Sequence, residues 1–173
     1  TSNSVILAGD FKLNYPIFSN KYYLYYLEKK EKKFLIEFNN LFFLFRKQNF
    51  LFLTEKTTIH AYTLPTATPL WQFDLAELGA TPMIDVNNKL KEWEMKKFIG
   101  VIEDKVWIAL NHHTVIALSI TTGELLHRVS TIKDFTCAWL PSAIPQPEAM
   151  IINEEKTKLI GLMWLFYCEI DPK

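Results

Sequence analysis

The most reactive-looking residues in this chain are His112 and His113, adjacent members of a set of four histidines. Two imidazoles side by side could hold a transition metal or relay a proton. Neighbouring residues at a strand end point to opposite sides, however, and so are poorly placed to chelate one ion. None of the four histidines is spaced to join His112 to an acidic partner. The pair therefore reads as part of a turn. Acid pairs at Glu103-Asp104 and Glu154-Glu155, together with Asp10, could in principle perform acid–base chemistry. Each falls where a solvated turn is expected. The chain has no His-Glu-x-x-His, no phosphate-binding glycine loop and no Gly-x-Ser-x-Gly. No catalytic residue, cofactor-binding residue or metal ligand is nominated, and no cofactor is expected. Cys137 and Cys168 sit among apolar neighbours and read as inert buried thiols rather than a disulfide or redox pair.

The histidine pair is carried by two apolar runs, Val106 to Leu110 and Val115 to Ile120, joined by Asn111 to Thr114. A second turn, Thr121-Thr-Gly123, leads into a third short run. Strand-like runs separated by tight turns predict an antiparallel meander. The pattern recurs. When Ala117, Thr122, Gly123 and His127 are set in one column, Ala61, Thr66, Ala67 and Trp71 fall in the same register. Leu64 then matches Ile120, and Leu70 matches Leu126. Ala8, Asp10 and Phe18 fit more loosely, and Cys168 to Lys173 resembles the start of another copy. Anchors at positions 8, 61, 117 and 169 lie 53, 56 and 52 residues apart. A period near fifty built from short strands predicts propeller blades.

Ala117-x-Ser119-x-x-Thr122-Gly123-x-x-x-His127 is similar to the Ala-x-Asp-x-x-Thr-Gly-x-x-x-Trp repeat of the quinoprotein-like (PQQ-type) β-propellers. The copy at Ala61 keeps the Trp, as Trp71, but has neither the Asp nor the Gly; the copy at Ala117 keeps the Gly and has lost the Trp. The resemblance implies four-stranded antiparallel blades. It also implies that the residue in the Trp position, His127 here, packs between blades. It does not carry quinone binding with it, because fold does not imply function.

With 173 residues, the chain suits one domain with a real core. Half its residues are apolar, and the Phe, Tyr, Ile and Thr content favours strands. Nineteen basic residues balance 19 acidic ones. No global field draws in nucleic acid or an acidic membrane, and no aromatic–basic stripe suits single-stranded nucleic acid. The most strongly hydrophobic piece, Leu41 to Phe45, is interrupted by Arg46-Lys-Gln-Asn49 before Phe50 to Leu53. It reads as a hairpin of two buried strands, so no transmembrane segment is expected. Thr1-Ser-Asn-Ser4 shows no secretory signal, and the compartment stays open.

The fold expected is all-β, with propeller-like four-stranded blades at about 41–75, 98–131 and 148–173. Amino-terminal strands are expected within 4–38, with a turn at Asp10 to Asn14. Glu28 to Lys33 reads as a solvated hairpin tip. Asp85-Val-Asn-Asn88 supplies helix caps, and Lys89 to Lys97 places Leu90, Trp93 and Lys97 on one face. A short helix inserted between blades is predicted there, with Trp93 packed on the sheet. Pro141 to Pro147 is an extended connector. The last blade is expected to lack its fourth strand. Three periods fall short of the four to eight blades of closed propellers. The chain is thus expected to be part of a longer propeller, with self-association or strand sharing as the other routes to closure.

Two classes of function follow. The favoured one is a non-enzymatic propeller module that binds another protein, of the kind found among bacterial assembly scaffolds and immunity proteins. A Lys-, Asn-, Ile- and Phe-rich composition suits a low-GC bacterial gene. Its contacts would come from exposed aromatic and loop residues, namely Tyr22, Tyr25, Trp93, Trp139, His112 and His113. The alternative is a propeller enzyme or cofactor-binding protein whose site lies in a central channel.

Overall fold

Short apolar runs punctuated by turn residues fold here into antiparallel strands almost throughout. The computed structural model describes residues 4–12, 19–28, 31–39, 41–55, 57–81, 92–112, 114–129, 136–137, 150–163 and 166–170. Side chains are described for residue 37 and residues 43–55, 57–81, 92–112, 114–129 and 150–160. The chain divides into two compact units, Thr1–Gln72 and Phe73–Lys173.

The first unit opens with a three-stranded meander, β1 (Ser4–Lys12), β2 (Ser19–Glu28) and β3 (Glu31–Asn39), in the order β1-β2-β3. One sequence expectation is corrected here, and the bounds of another, the charged hairpin tip, are narrowed. Asp10 lies within β1 opposite Lys21, not in a turn. Glu31, Lys32 and Lys33 belong to β3, where they face Glu28, Leu27 and Tyr26 of β2. The charged run is therefore largely strand, because a two-residue connection lets pairing continue almost to the tip.

Next come β4 (Leu41–Lys47), β5 (Phe50–Glu55), β6 (Thr58–Thr63) and β7 (Thr68–Asp74), a sheet of order β4-β5-β6-β7. Its core is carried by β5 and β6, where Leu51, Phe52, Leu53 and Ile59 are fully buried. Removing each such side chain from water contributes about 1.5–3 kcal/mol. The expected hairpin of two buried strands holds for β5 only. On β4 the described side chains, Phe43 to Lys47, alternate between half-buried and exposed, and Leu44 is 38% exposed.

In the second unit, Asp74 caps a single 3-10 turn at Leu75–Leu78. Its carboxylate accepts from Ala76 N at 2.9 Å, and Glu77 Oε1 accepts from Asp74 N at 3.3 Å. This reciprocal arrangement satisfies donors that the short turn cannot. A four-stranded sheet follows: β8 (Met95–Ile102), β9 (Lys105–Leu110), β10 (Thr114–Ser119) and β11 (Leu125–Val129), in the order β11-β10-β9-β8. The predicted helix is corrected where it can be compared. Residues 82–91 lie outside the described residues, Glu92 to Glu94 are irregular, and Met95 to Lys97 open β8. Pairing of Met95 with Leu110 and of Lys97 with Ala109 outweighs the local helical pattern.

The last sheet contains β12 (Thr136–Cys137), β13 (Met150–Ile152), β14 (Leu159–Met163) and β15 (Phe166–Ile170), in the order β12-β15-β14-β13. The fourth strand expected to be missing is thus supplied from upstream, by β12 laid antiparallel on β15. Pro141–Pro147 lies outside the described residues. The core of this unit joins the two sheets face to face. Ile102, Trp107, Val115 and Ala117 pack with Met150 and Leu159, and Ile99, Val129 and Ile152 line its margin. Lys97 Nζ also donates to the Met150 carbonyl at 3.1 Å. Gly100, at φ 152°, sits where a side chain would overlap Ile152 Cδ1.

Candidate functional site

Alanine and aromatic residues at the repeat positions meet within each sheet. In the second unit Trp107, Ala117 and His127 stand opposite one another on β9, β10 and β11. The Ala117 methyl leaves room above the central strand, and the Trp107 and His127 rings stack across it at 5.7 Å and 10°. In the first unit Phe52 stands opposite Ala61. Phe52 meets Trp71 at 5.9 Å. The aromatic at the end of each repeat therefore packs over the alanine onto the second strand of its own sheet. His127 thus makes its ring contact within its own sheet, on Trp107. Trp107 Nε1 is buried with no hydrogen-bond partner among the described residues, so this indole contributes through its ring faces.

The turns repeat as closely. Gln48 and Glu103, between the first two strands of each sheet, are both left-handed, at φ 50° and 53°. Leu64 N donates to Asn49 O at 2.7 Å, and its counterpart Ile120 N donates to Asp104 O at 2.8 Å. Ala67 and Gly123 are again left-handed, at φ 53° and 74°. Glycine adopts that conformation without the steric cost of a Cβ. Ser119, in the Asp position of the repeat, accepts from Thr122 N at 3.2 Å and so holds the last turn. The residues of the repeat are thus engaged in packing and turn closure.

A second cluster gathers residues far apart in the chain. Trp93 is 4% exposed and donates from Nε1 to Gly79 O at 2.8 Å. Arg128 donates to the neighbouring carbonyl, Leu78 O, at 2.7 Å, with its guanidinium 5.0 Å from the Trp93 ring centroid. His112, left-handed at φ 56° in the turn after β9, meets the indole edge-on at 5.8 Å. Asn111 completes the arrangement by imitating a strand. Its backbone N donates to Glu94 O at 2.9 Å, its side-chain Oδ1 accepts from Glu94 N at 3.1 Å, and its Nδ2 donates to Glu92 O at 2.8 Å. Both ends of the segment between Leu78 and Met95 are thereby fastened to β9–β11. The cluster supplies cation–π and hydrogen-bond energy.

Of the six nominated contact residues, two are brought together: Trp93 and His112. Burial corrects Trp93 as an exposed contact, because its ring is used to hold the chain. Tyr22 and Tyr25 lie on β2, in register with Gly9 and Ile6. Trp139 and His113 lie outside the described residues. The acid pairs remain at separate turns: Glu103 meets Lys105 at 3.4 Å, and Glu155 accepts from Asn153 at 2.7 Å. Among the described residues, no group of three His, Cys, Asp or Glu could hold a metal. Sequence reading missed Asn111 and Arg128. Asn111 adjoins the histidine pair, but only pairing with Glu94 reveals its role, and Arg128 carried no local signal. On β6, His60 and Tyr62 stack at 6.4 Å. Burial holds the His60 pKa below 6.5, partly opposed by Glu55, while burial and then Glu55 raise Tyr62 above 10.0.

No family model and no curated protein matches this chain. Solved structures do. A computationally designed protein, Ika8, is 10% identical, with 93% of this chain and 44% of that chain covered at a TM-score of 0.51. A europium-containing methanol dehydrogenase is 16% identical over 73% of this chain and 23% of its own, at 0.43. The Pan2 WD40 domain of Neurospora crassa is 8% identical over 88% and 42%, at 0.46. The chain spans less than half the length of each. With its four-stranded antiparallel sheets, the chain is all-β and propeller-like.

Proposed function

We propose that this chain is a non-enzymatic interaction module that offers the outer strands of its sheets to another protein. One observation carries the reading. In both sheets with described side chains throughout their inner strands, the last strand bears exposed large apolar residues. Leu70 on β7 is 38% exposed, and Leu125 and Leu126 on β11 are each 37% exposed. The strands beside them are more buried: β6 has only buried and half-buried residues, and every residue of β10 is buried. A strand that ends a sheet has backbone donors and acceptors available for a further strand, and natural proteins usually blunt such edges with charge or proline. Pro69 does so in part on β7, whereas the Leu125-Leu126 pair opens β11 without charge. The partner is a protein segment that adds to this edge, either a different chain, a further part of a longer propeller, or a second copy.

Hydrogen exchange of the purified chain tests the reading. Amides of β11 are expected to exchange at least tenfold faster than those of β10, and to become protected when light scattering reports association. Equal protection of β10 and β11 in a monomer would mean that the edge is already covered, and the reading would fall.

A further inference from the structure

We propose that Cys137 and Cys168 form a disulfide that latches β12 to β15. The ladder between these strands has two residue pairs, Thr136↔Glu169 and Cys137↔Cys168. One of the two is therefore cysteine directly opposite cysteine, although 31 positions separate them in the chain. Opposed antiparallel residues have Cα atoms about 4.5 or 5.5 Å apart, depending on whether the pair is hydrogen-bonded. Both spacings fall inside the roughly 4.4–6.8 Å that a disulfide spans. No local pattern brings these residues together. They are the only two cysteines of the chain, and the strand register sets them at opposed positions.

The latch has a physical task. A strand of two residues gains few ladder bonds to offset the entropy of ordering it. A covalent bond to β15 removes that entropy from the unlatched ensemble and keeps the fourth position of the sheet filled. Closing it requires a two-electron oxidant, for which a small disulfide such as oxidised glutathione suffices. One cysteine thiolate attacks a sulfur of the oxidant, forming a mixed disulfide and releasing one glutathione thiolate. The second cysteine thiolate then attacks the protein sulfur of that mixed disulfide. The Cys137–Cys168 bond forms, and the second glutathione leaves. Two protein thiols have lost two protons and two electrons, and the oxidant has become two thiols.

The test uses the full chain, fully reduced and then treated with oxidised glutathione. Intact mass is expected to fall by about 2 Da, with no retained glutathione. Peptide mapping should join the peptides containing Cys137 and Cys168. Melting temperature should rise on the order of 10 °C and return on reduction. Cys137→Ser and Cys168→Ser should each retain one glutathione and show no such rise. The proposal is overturned if the native chain carries glutathione on both cysteines, if it cross-links only between molecules, or if an intramolecular bond leaves the melting temperature unchanged. The redox comparison on the native chain needs no variant to fold.

Discussion

Replacing Gly100 by alanine adds one methyl group where β8 meets the neighbouring sheet of its unit. Two costs arise. Gly100 has φ 152°, and holding a side-chain-bearing residue there costs about 1–3 kcal/mol. The new Cβ would also overlap Ile152 Cδ1 and lie 3.4 Å from Cγ1, an overpacking worth about 1–3 kcal/mol. Ile152 is only half-buried and its terminal carbon can rotate, so the steric part belongs at the lower end. Reduced freedom of the unfolded chain returns about 0.4–1 kcal/mol. The expected loss is about 2–3 kcal/mol, measured by urea unfolding followed by circular dichroism and tryptophan fluorescence. Ile152→Val deletes Cδ1 and alone should cost about 0.5 kcal/mol, the low end for a side chain that is not fully buried. In the double variant the steric part disappears and the backbone part remains. It should therefore be about 1 kcal/mol more stable than the two single losses added together. Additivity within about 0.3 kcal/mol would refute the packing of β8 against β13, because independent sites add to that degree.

Four further substitutions probe the repeat and its surroundings. Ala117→Leu fills the space spanned by the Trp107–His127 stack and should destabilise by about 2–3 kcal/mol in the same unfolding assay, whereas His127→Phe, which keeps a ring there, should change stability by less than about 1 kcal/mol. Ser119→Ala removes the acceptor for Thr122 N and should cost about 1 kcal/mol, with faster hydrogen exchange confined to residues 120–124 as the accompanying sign. His60 is held below its ordinary pKa of 6.5, so the unfolded chain takes up its proton first and stability must fall as pH drops from 6.5 toward the folded value; His60→Gln should flatten that part of the pH–stability curve, and an unchanged slope would mean that His60 is not the group responsible.

Much of the architecture was written locally. Apolar runs and turn residues located β5, β9 and β10 to within about two residues, because strand periodicity and left-handed turn positions act over a few neighbours. The repeat from Ala61 to Trp71 and from Ala117 to His127 was readable for the same reason. Its spacing is set by one hairpin, in which a small residue on the third strand makes room for a ring from the fourth. Other features depended on partners that no local pattern names. Lys89 to Lys97 carries a helical pattern, yet Met95 to Lys97 take their hydrogen bonds from β9 and become strand. Trp93 has the composition of an exposed contact and is instead buried beneath Arg128, 35 positions later. Thr136–Cys137 is too short to show any period, and only its pairing with β15 makes it the fourth strand and sets Cys137 opposite Cys168. Short-range sterics and side-chain alternation are properties of the sequence by itself. Which strand lies beside which is settled by hydrogen bonds and buried contacts between residues tens of positions apart, and these exist only once the chain is folded.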